Sequence, residues 1–296
     1  MPSATYAHLT DRSLIKVAGD EATHFLQNLV TSDIDNLGQL GAASAALLTP
    51  QGKILFDFLI YKFDDVYYVD APSAVATDLL KRLTFYRLRA KVDLEAVDAE
   101  IGVFAVWGNG KAADKGLLSV NDPRLEALGQ RVVGQIDQLS QTLDGVAADL
   151  SAYDAHRIAH GVPEGLKDYD YSDIFPHDAD LDQLNGVSFT KGCYVGQEVV
   201  SRVQHRGTAR KRFVKVESSS ALFDKGTDLT AAGKNVGTLG STAVGQNGSV
   251  GLALIRLDKV AQAKDNGNPL LCGDVEVDVI LPDWAKFTWP ETSAAD

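Results

Sequence analysis

Lys191-Gly192-Cys193-Tyr194-Val195-Gly196-Gln197-Glu198 is the most informative stretch of this chain, because it sets one of only two cysteines between a cation and a pair of glycines. Thiol chemistry runs through the thiolate, and a neighbouring ammonium or ordered backbone N–H groups bring a cysteine pKa down from about 8.5. Lys191 and Gly192 supply those two ingredients, which makes Cys193 a candidate reactive thiol. A packed cysteine is the alternative on these residues alone, since free cysteine is among the most buried residue types.

Working outward, the motif is followed by Arg202, His205, Arg206, Arg210, Lys211 and Arg212, a local attractor for carboxylate or phosphate. Gly207 interrupts the run, which places the cations on two adjoining segments; the same residues also fit a solvated strand of alternating charge. Upstream, Gly161 to Asp182 and Gly108 to Gln130 are long polar segments, and loops of that length tend to carry function. The first of them contains Asp168-Tyr169-Asp170-Tyr171-Ser172-Asp173, whose tyrosines are of a kind that lines a planar ligand or simply decorates a polar loop.

A second candidate lies far from the motif, in Ile54-Leu55-Phe56-Asp57-Phe58-Leu59-Ile60. A carboxylate inside an apolar strand is costly unless it is hydrogen-bonded or faces a cavity, so Asp57 is read as a site residue, the alternative being that its side of the strand faces solvent. His156 and His160 stand four apart on an expected helix, but no HExxH pattern surrounds them and a solvated helix face accounts for the pair. Gly102, Gly108 and Gly110 match neither nucleotide-binding glycine spacing.

The bulk numbers bound the classes available. A chain of 296 residues, 45% hydrophobic and 23% charged, has material for two or three packed units. A net charge of -12 argues against general affinity for nucleic acid or anionic membrane, so any anionic partner must meet a local patch. Cys193 and Cys272 form no CxxC pair and no zinc spacing. Met1 to Ala7 has neither the cationic lead-in nor the apolar core of a targeting peptide, and no apolar run reaches the about 20 residues of a membrane span. The expectation is a cytoplasmic protein with free thiols.

Periodicity orders the elements. Leu14 to Val17 reads as a strand, then a helix carries Phe25, Leu26, Leu29 and Val30. Ala45 to Leu48, Ile54 to Phe63 and Val66 to Val69 form a three-strand meander around the turn Thr49-Pro50-Gln51-Gly52, and a helix runs from Pro72-Ser73 to about Tyr86. A second pass has strands at Lys91 to Leu94, Ile101 to Trp107 and Arg131 to Ile136, with a helix near Ala152 to His160. From Phe213 onward, short glycine-punctuated strands at Phe213 to Val216, Thr227 to Thr230, Val236 to Val244, Val250 to Leu257 and Val275 to Leu281 imply a small barrel or sandwich, with Cys272 a packed residue. The class is α+β with mainly antiparallel sheets, divided into an α+β region over 1–205, with a split near 90–110, and a β domain over 206–296.

Together these residues resemble the YgfZ family of folate-binding proteins, relatives of the T-protein, the aminomethyltransferase of the glycine cleavage system. The anchors are Phe25 to Asp33, Leu48 to Ile54, and Lys191 to Glu198 with Val199-Val200-Ser201-Arg202, and the resemblance covers nearly the whole chain. It implies a T-protein-like fold of two α+β modules plus a C-terminal β-barrel around a central channel for tetrahydrofolate or a one-carbon derivative. It implies a role in assembly or repair of iron-sulfur proteins, with assembly factors or clients as partners and any effect on tRNA modification indirect. Cys193 would be the key thiol, tuned by Lys191. Asp57, Lys191, Gly192, Cys193, Tyr194, Gln197, Glu198, Arg202 and Arg206 would line the folate site. Clusters need about four thiolates, so no metal is expected to be bound by this chain alone. T-proteins carry a glutamate in the segment matched by Arg157-Ile158-Ala159-His160-Gly161, and this chain has Ala159; that weighs against the alternative reading, a folate-dependent aminomethyl transferase using Asp57.

Overall fold

Apolar runs closed by turn residues become strands along the first half of the chain. The computed structural model describes residues 4–38, 40–108, 116–207, 209–245 and 248–291. The chain divides into two units, Met1–Tyr153 with Leu184–Gln197, and Asp154–Gln183 with Glu198–Asp296. Part of the long segment from Gly108 to Gln130, including Gly110, lies outside the described residues.

In chain order the first unit holds β1 (Thr5–His8), β2 (Arg12–Ala18), α1 (Ala22–Leu29), β3 (Leu40–Leu48), β4 (Ile54–Phe63), β5 (Val66–Pro72), α2 (Ser73–Arg87), β6 (Asp93–Ala96), β7 (Ile101–Trp107), β8 (Leu118–Asn121), β9 (Gln130–Gln135), α3 (Ile136–Thr142) and β10 (Val146–Ala148). These strands make two five-stranded sheets, ordered β3-β4-β5-β2-β6 and β10-β1-β7-β9-β8. All pairings are antiparallel except β1 with β10. The meander β3-β4-β5 forms as its alternation and turn residues require. The strand expected at Lys91 starts two residues later, at Asp93, because the Lys91 backbone is occupied elsewhere: its N–H donates to the Glu21 carboxylate at 2.7 Å and its carbonyl accepts from the Glu21 N–H.

Leu14, Leu59 and Tyr61 of the first sheet pack with Ala7, Val103, Ala105, Val120 and Val133 of the second into one apolar layer. Among the described residues two carboxylates are buried in this unit, and both are paired with arginine. Asp70 accepts from Arg12 Nε at 2.7 Å and from the Tyr61 hydroxyl at 2.5 Å. Asp122 accepts from Arg124 at 2.8 Å and from Arg131 at 3.1 Å, and both arginines reach the Tyr153 hydroxyl. Burial pushes the Asp122 carboxyl up, but Arg124 and Arg131 outweigh it and hold the group at about 2. An unfolded aspartate titrates near 3.9, so the unfolded chain binds the proton first as pH falls. The stability this carboxylate contributes is complete above about pH 4 and is lost towards pH 2. The acid limb of the unfolding free energy between those values is expected to flatten in Asp122→Asn, and an unchanged limb would rule this assignment out.

The second unit takes most of α4 (Leu150–Ala159) and α5 (Gln197–Arg206), then β11 (Lys211–Ser218), β12 (Asp228–Ala231), β13 (Lys234–Gly245), β14 (Gly248–Arg256), α6 (Leu257–Asp265), β15 (Leu270–Cys272), β16 (Val275–Glu276) and β17 (Asp278–Ile280). Its single sheet, ordered β16-β15-β12-β13-β14-β11-β17, curls into a nearly closed barrel whose two edge strands are joined in sequence through Val277. Val214, Val216, Leu229, Leu239 and Ile255 fill it, together with Cys272, which is fully buried as expected. Burial raises the Cys272 thiol pKa, which makes it less reactive. Helix α6 was not expected. Its Leu257, Val260 and Ala263 join the barrel core, and half of its buried residues are alanines, which read as neutral in a strand-rich region. Among the described residues no helix is long and apolar enough to cross a membrane.

Candidate functional site

Three separated stretches of sequence meet in the first unit, and the meeting is built on backbone polar groups. Helix α1 ends at Leu29, and the last carbonyls of a helix have no donor of their own. Lys191 supplies it. Its ammonium donates to the carbonyls of Gln27 at 2.6 Å, Val30 at 2.7 Å and Ser32 at 2.7 Å. Thr31, between these acceptors, donates its hydroxyl to the Gly186 carbonyl at 2.6 Å and accepts from the Ala46 N–H at 2.8 Å. Ala46 is the cross-strand partner of Asp57.

Gly196 completes the junction. It has φ +81°, and a Cβ there would lie 2.6 Å from the Thr49 carbonyl oxygen and 3.0 Å from Gly52 Cα. Only glycine lets the motif loop seat against the turn that opens β4. The loop from Lys191 to Gly196 is therefore held at both ends, by the Lys191 ammonium and by the Gly196 contact, with Cys193 exposed between them. Gly192 is also exposed, and a Cβ there would meet nothing within 4 Å.

This geometry gives Lys191 a structural role that its place beside Cys193 did not announce. An ammonium has three N–H donors, and all three are used on carbonyls. None is left to donate to the Cys193 sulfur, so Lys191 fixes the loop that carries the thiol. Burial pulls its pKa down to about 8, while Asp33 and Asp35 favour the charged form. Tyr194 packs its ring 5.3 Å from the same ammonium. Its hydroxyl is buried without a hydrogen-bond partner among the described residues, and burial raises its pKa to about 12.

Asp57 is half-buried, not fully enclosed by its apolar neighbours. Alternation along β4 explains this. Ile54, Phe56, Phe58 and Ile60 share one buried face, and Asp57 shares the other with Leu59 and Tyr61 of the inter-sheet layer. The carboxylate buried outright in this sheet is Asp70, which sequence reading passed over although Val69-Asp70-Ala71 has the same apolar flanks as Asp57.

Glu198, Arg202 and Arg206 lie on α5 in the second unit, while Gln197, the first residue of that helix, belongs to the first. Arg202 pairs with Glu198 one turn away at 2.6 Å, an exposed i, i+4 pair of small energetic weight. Arg206 is exposed at the helix end. The basic run does fall on two segments, as Gly207 indicated, but Arg212 does not belong to any attractor. It is buried, donates to Asp182 at 2.9 Å and to the His177 carbonyl at 2.7 Å, and stacks on Phe287.

The tyrosine-rich loop is likewise structural at its start. Asp168 is buried and accepts from Arg157 at 2.7 Å, from the Glu164 N–H at 2.9 Å and from the Ser241 N–H at 2.8 Å. Ala159, where T-proteins have their glutamate, is exposed as the last residue of α4. His156 and His160 stack edge to face at 4.6 Å, and no group of three or more ligating side chains occurs among the described residues.

Comparisons with known proteins bear on the fold and the family. Residues 5–119 match the model of the GCVT N-terminal domain, and residues 210–287 match that of the CAF17 C-terminal beta-barrel domain. The chain is 31% identical to the mitochondrial iron-sulfur cluster assembly factor IBA57 homolog of Coccidioides immitis, over 96% of this chain and 84% of that protein. It is 32% identical to human mitochondrial IBA57, over 96% of this chain and 85% of that protein. Among solved structures, the glycine cleavage system aminomethyltransferase T of Bartonella henselae superposes with a TM-score of 0.76 at 16% identity, covering 98% of this chain and 88% of that one. That likeness establishes the T-protein-like fold. The curated relatives are mitochondrial, which overturns the expectation of a cytoplasmic protein.

Proposed function

We propose a function on a premise the relatives establish: the chain belongs to the IBA57 family of iron-sulfur cluster assembly factors. On that premise it works as a YgfZ-type accessory factor in the assembly or repair of iron-sulfur proteins, with Cys193 as its working thiol and tetrahydrofolate as its ligand. The observation that carries the thiol is the exposure of Cys193 on a loop held at both ends. A thiol needed only for packing would be buried like Cys272. One thiolate cannot hold a cluster, which takes about four protein ligands, so Cys193 lends one ligand beside a partner or exchanges with a partner's thiol.

The folate reading has its own support in side-chain chemistry. The buried, unpartnered Tyr194 hydroxyl is a polar group that a ligand would satisfy, since buried polar atoms in native proteins are nearly always hydrogen-bonded. Asp57, half-buried on its strand, would accept a hydrogen bond from an N–H of the pterin. The reduced folate would supply one-carbon chemistry when bound.

In cells lacking the native protein, Cys193→Ala is expected to leave iron-sulfur enzyme activities as low as in the deletion. Purified Cys193→Ala is expected to bind tetrahydrofolate like the wild type, with Asp57→Asn binding more weakly. Full rescue by Cys193→Ala would remove the thiol from the mechanism, and failure of the wild type to bind tetrahydrofolate would remove the ligand.

A further inference from the structure

The last turns of helix α2 and the turn after it read Lys81-Arg82-Leu83-Thr84-Phe85-Tyr86-Arg87-Leu88-Arg89-Ala90-Lys91, five cations in eleven residues without a carboxylate, in a chain of net charge -12. The helix packs on the sheet through Leu79 and Leu83, its only buried residues. Helical spacing sets Lys81 and Phe85 together on the face opposite Leu79 and Leu83, with Arg82 on the flank beside Phe85. Phe85 is 69% exposed and Leu88 85%. Lys81 makes one exposed pair with Asp78 at 3.1 Å; among the described residues Arg82, Arg87, Arg89 and Lys91 make no ion pair.

Leu88 is displayed against its own conformational preference. It has φ +46° and ψ -104°, in a turn closed by the Ala90 N–H donating to the Arg87 carbonyl at 2.8 Å. That conformation favours glycine, and a residue with a Cβ held there carries strain. A strained, solvent-exposed leucine is the reverse of what stability alone would place in the turn. Tyr86 lies edge-on to the Phe85 ring at 5.8 Å, so this exposed aromatic has a ring beside it.

We propose that the C-terminal end of α2 is a docking surface for an acidic protein, with Phe85 and Leu88 as apolar anchors among Arg82, Arg87, Arg89 and Lys91. Aromatic and arginine side chains dominate the energetics of protein interfaces, and a charged rim steers a complementary partner. Charge also selects the class of partner. Outside this patch the chain is more acidic still, and that net charge disfavours an extended polyanion such as a membrane face or a nucleic acid. A compact acidic protein meets only the patch. The surface rests on these observations and is independent of the function proposed above.

The test places a photo-crosslinking phenylalanine derivative at position 85 of the full chain in its own cells, with the same derivative at Val244 as control. The expected adduct is one protein, joined through a segment rich in Asp and Glu. Its yield is expected to fall about tenfold in Arg82→Glu/Arg89→Glu, the size of effect lost with close interface charges. Leu88→Gly is expected to lower the yield while leaving the thermal midpoint equal to or above the wild type, because glycine adopts that turn without strain. Cross-links to lipid, nucleic acid or a second copy of the chain would overturn the proposal. So would a yield no higher than at Val244, or one indifferent to charge reversal.

Discussion

Lys191→Met is expected to destabilise the first unit by about 3 kcal/mol and to abolish activity even though Cys193 is untouched. The methionine stem fills nearly the same volume, so the loss isolates the ammonium. Each buried carbonyl stripped of its donor costs about 1–3 kcal/mol, and three share this one group. Lys191→Arg is expected to fall between the two, because a planar guanidinium keeps the charge but cannot converge its donors on three carbonyls as an ammonium does. Denaturant midpoints at constant m-value measure the first effect. The rate of Cys193 alkylation measures the second, since a released loop alters thiol access while the thiol remains. A loss below about 1 kcal/mol would mean that the carbonyls find water and that Lys191 is not the anchor.

Arg157→Met is expected to cost still more, about 3–5 kcal/mol in the second unit, because removing one partner of a buried pair leaves an uncompensated charge. Arg157 is fully buried and reaches Asp154 at 2.9 Å, Asp168 at 2.7 Å, the Val162 carbonyl at 3.1 Å and Ser241 at 3.0 Å. Asp168 in turn holds the Glu164 and Ser241 amides, so the pair joins α4, the loop after it and β13. Asp168→Asn should be milder, since an amide still accepts hydrogen bonds. The double variant should recover part of the loss, because neither charge is then stranded. Strict additivity in that cycle would show that the two groups are not energetically coupled. Arg157 sits two residues before the departure from the T-protein pattern at Ala159, and the network accounts for why it is needed whether or not transfer chemistry occurs there.

How far the site could be read from the sequence depended on the range of each interaction. Val66 to Val69 was short of the full β5 only by its last residues, and β4 coincided with its apolar run, because alternation and turn chemistry are local. Thr49 to Gly52 announced its turn for the same reason. Cys193 could be placed in a polar, glycine-rich loop, but those residues left open whether it was exposed or packed, and the structure decided for exposure. The basic run divided at Gly207 as its glycine implied, but half of its meaning was lost: Arg212 is a core residue whose partner, Asp182, lies thirty residues upstream. The same blindness exchanged Asp57 for Asp70 as the buried carboxylate, since both have apolar flanks and only the sheet's second face distinguishes them.

The sequence by itself determined the strands of the meander, helix α2, the barrel texture after Phe213, the packed state of Cys272 and the motif loop, all through periodicities and turn residues that act within a few positions. Tertiary structure alone decided what Lys191 does. Its acceptors lie about 160 residues away in the chain, at the end of a helix whose carbonyls have no local donor, and a hydrogen bond of that span leaves no trace in composition or spacing. The cation that the sequence sets beside a thiol also joins a helix end to a loop.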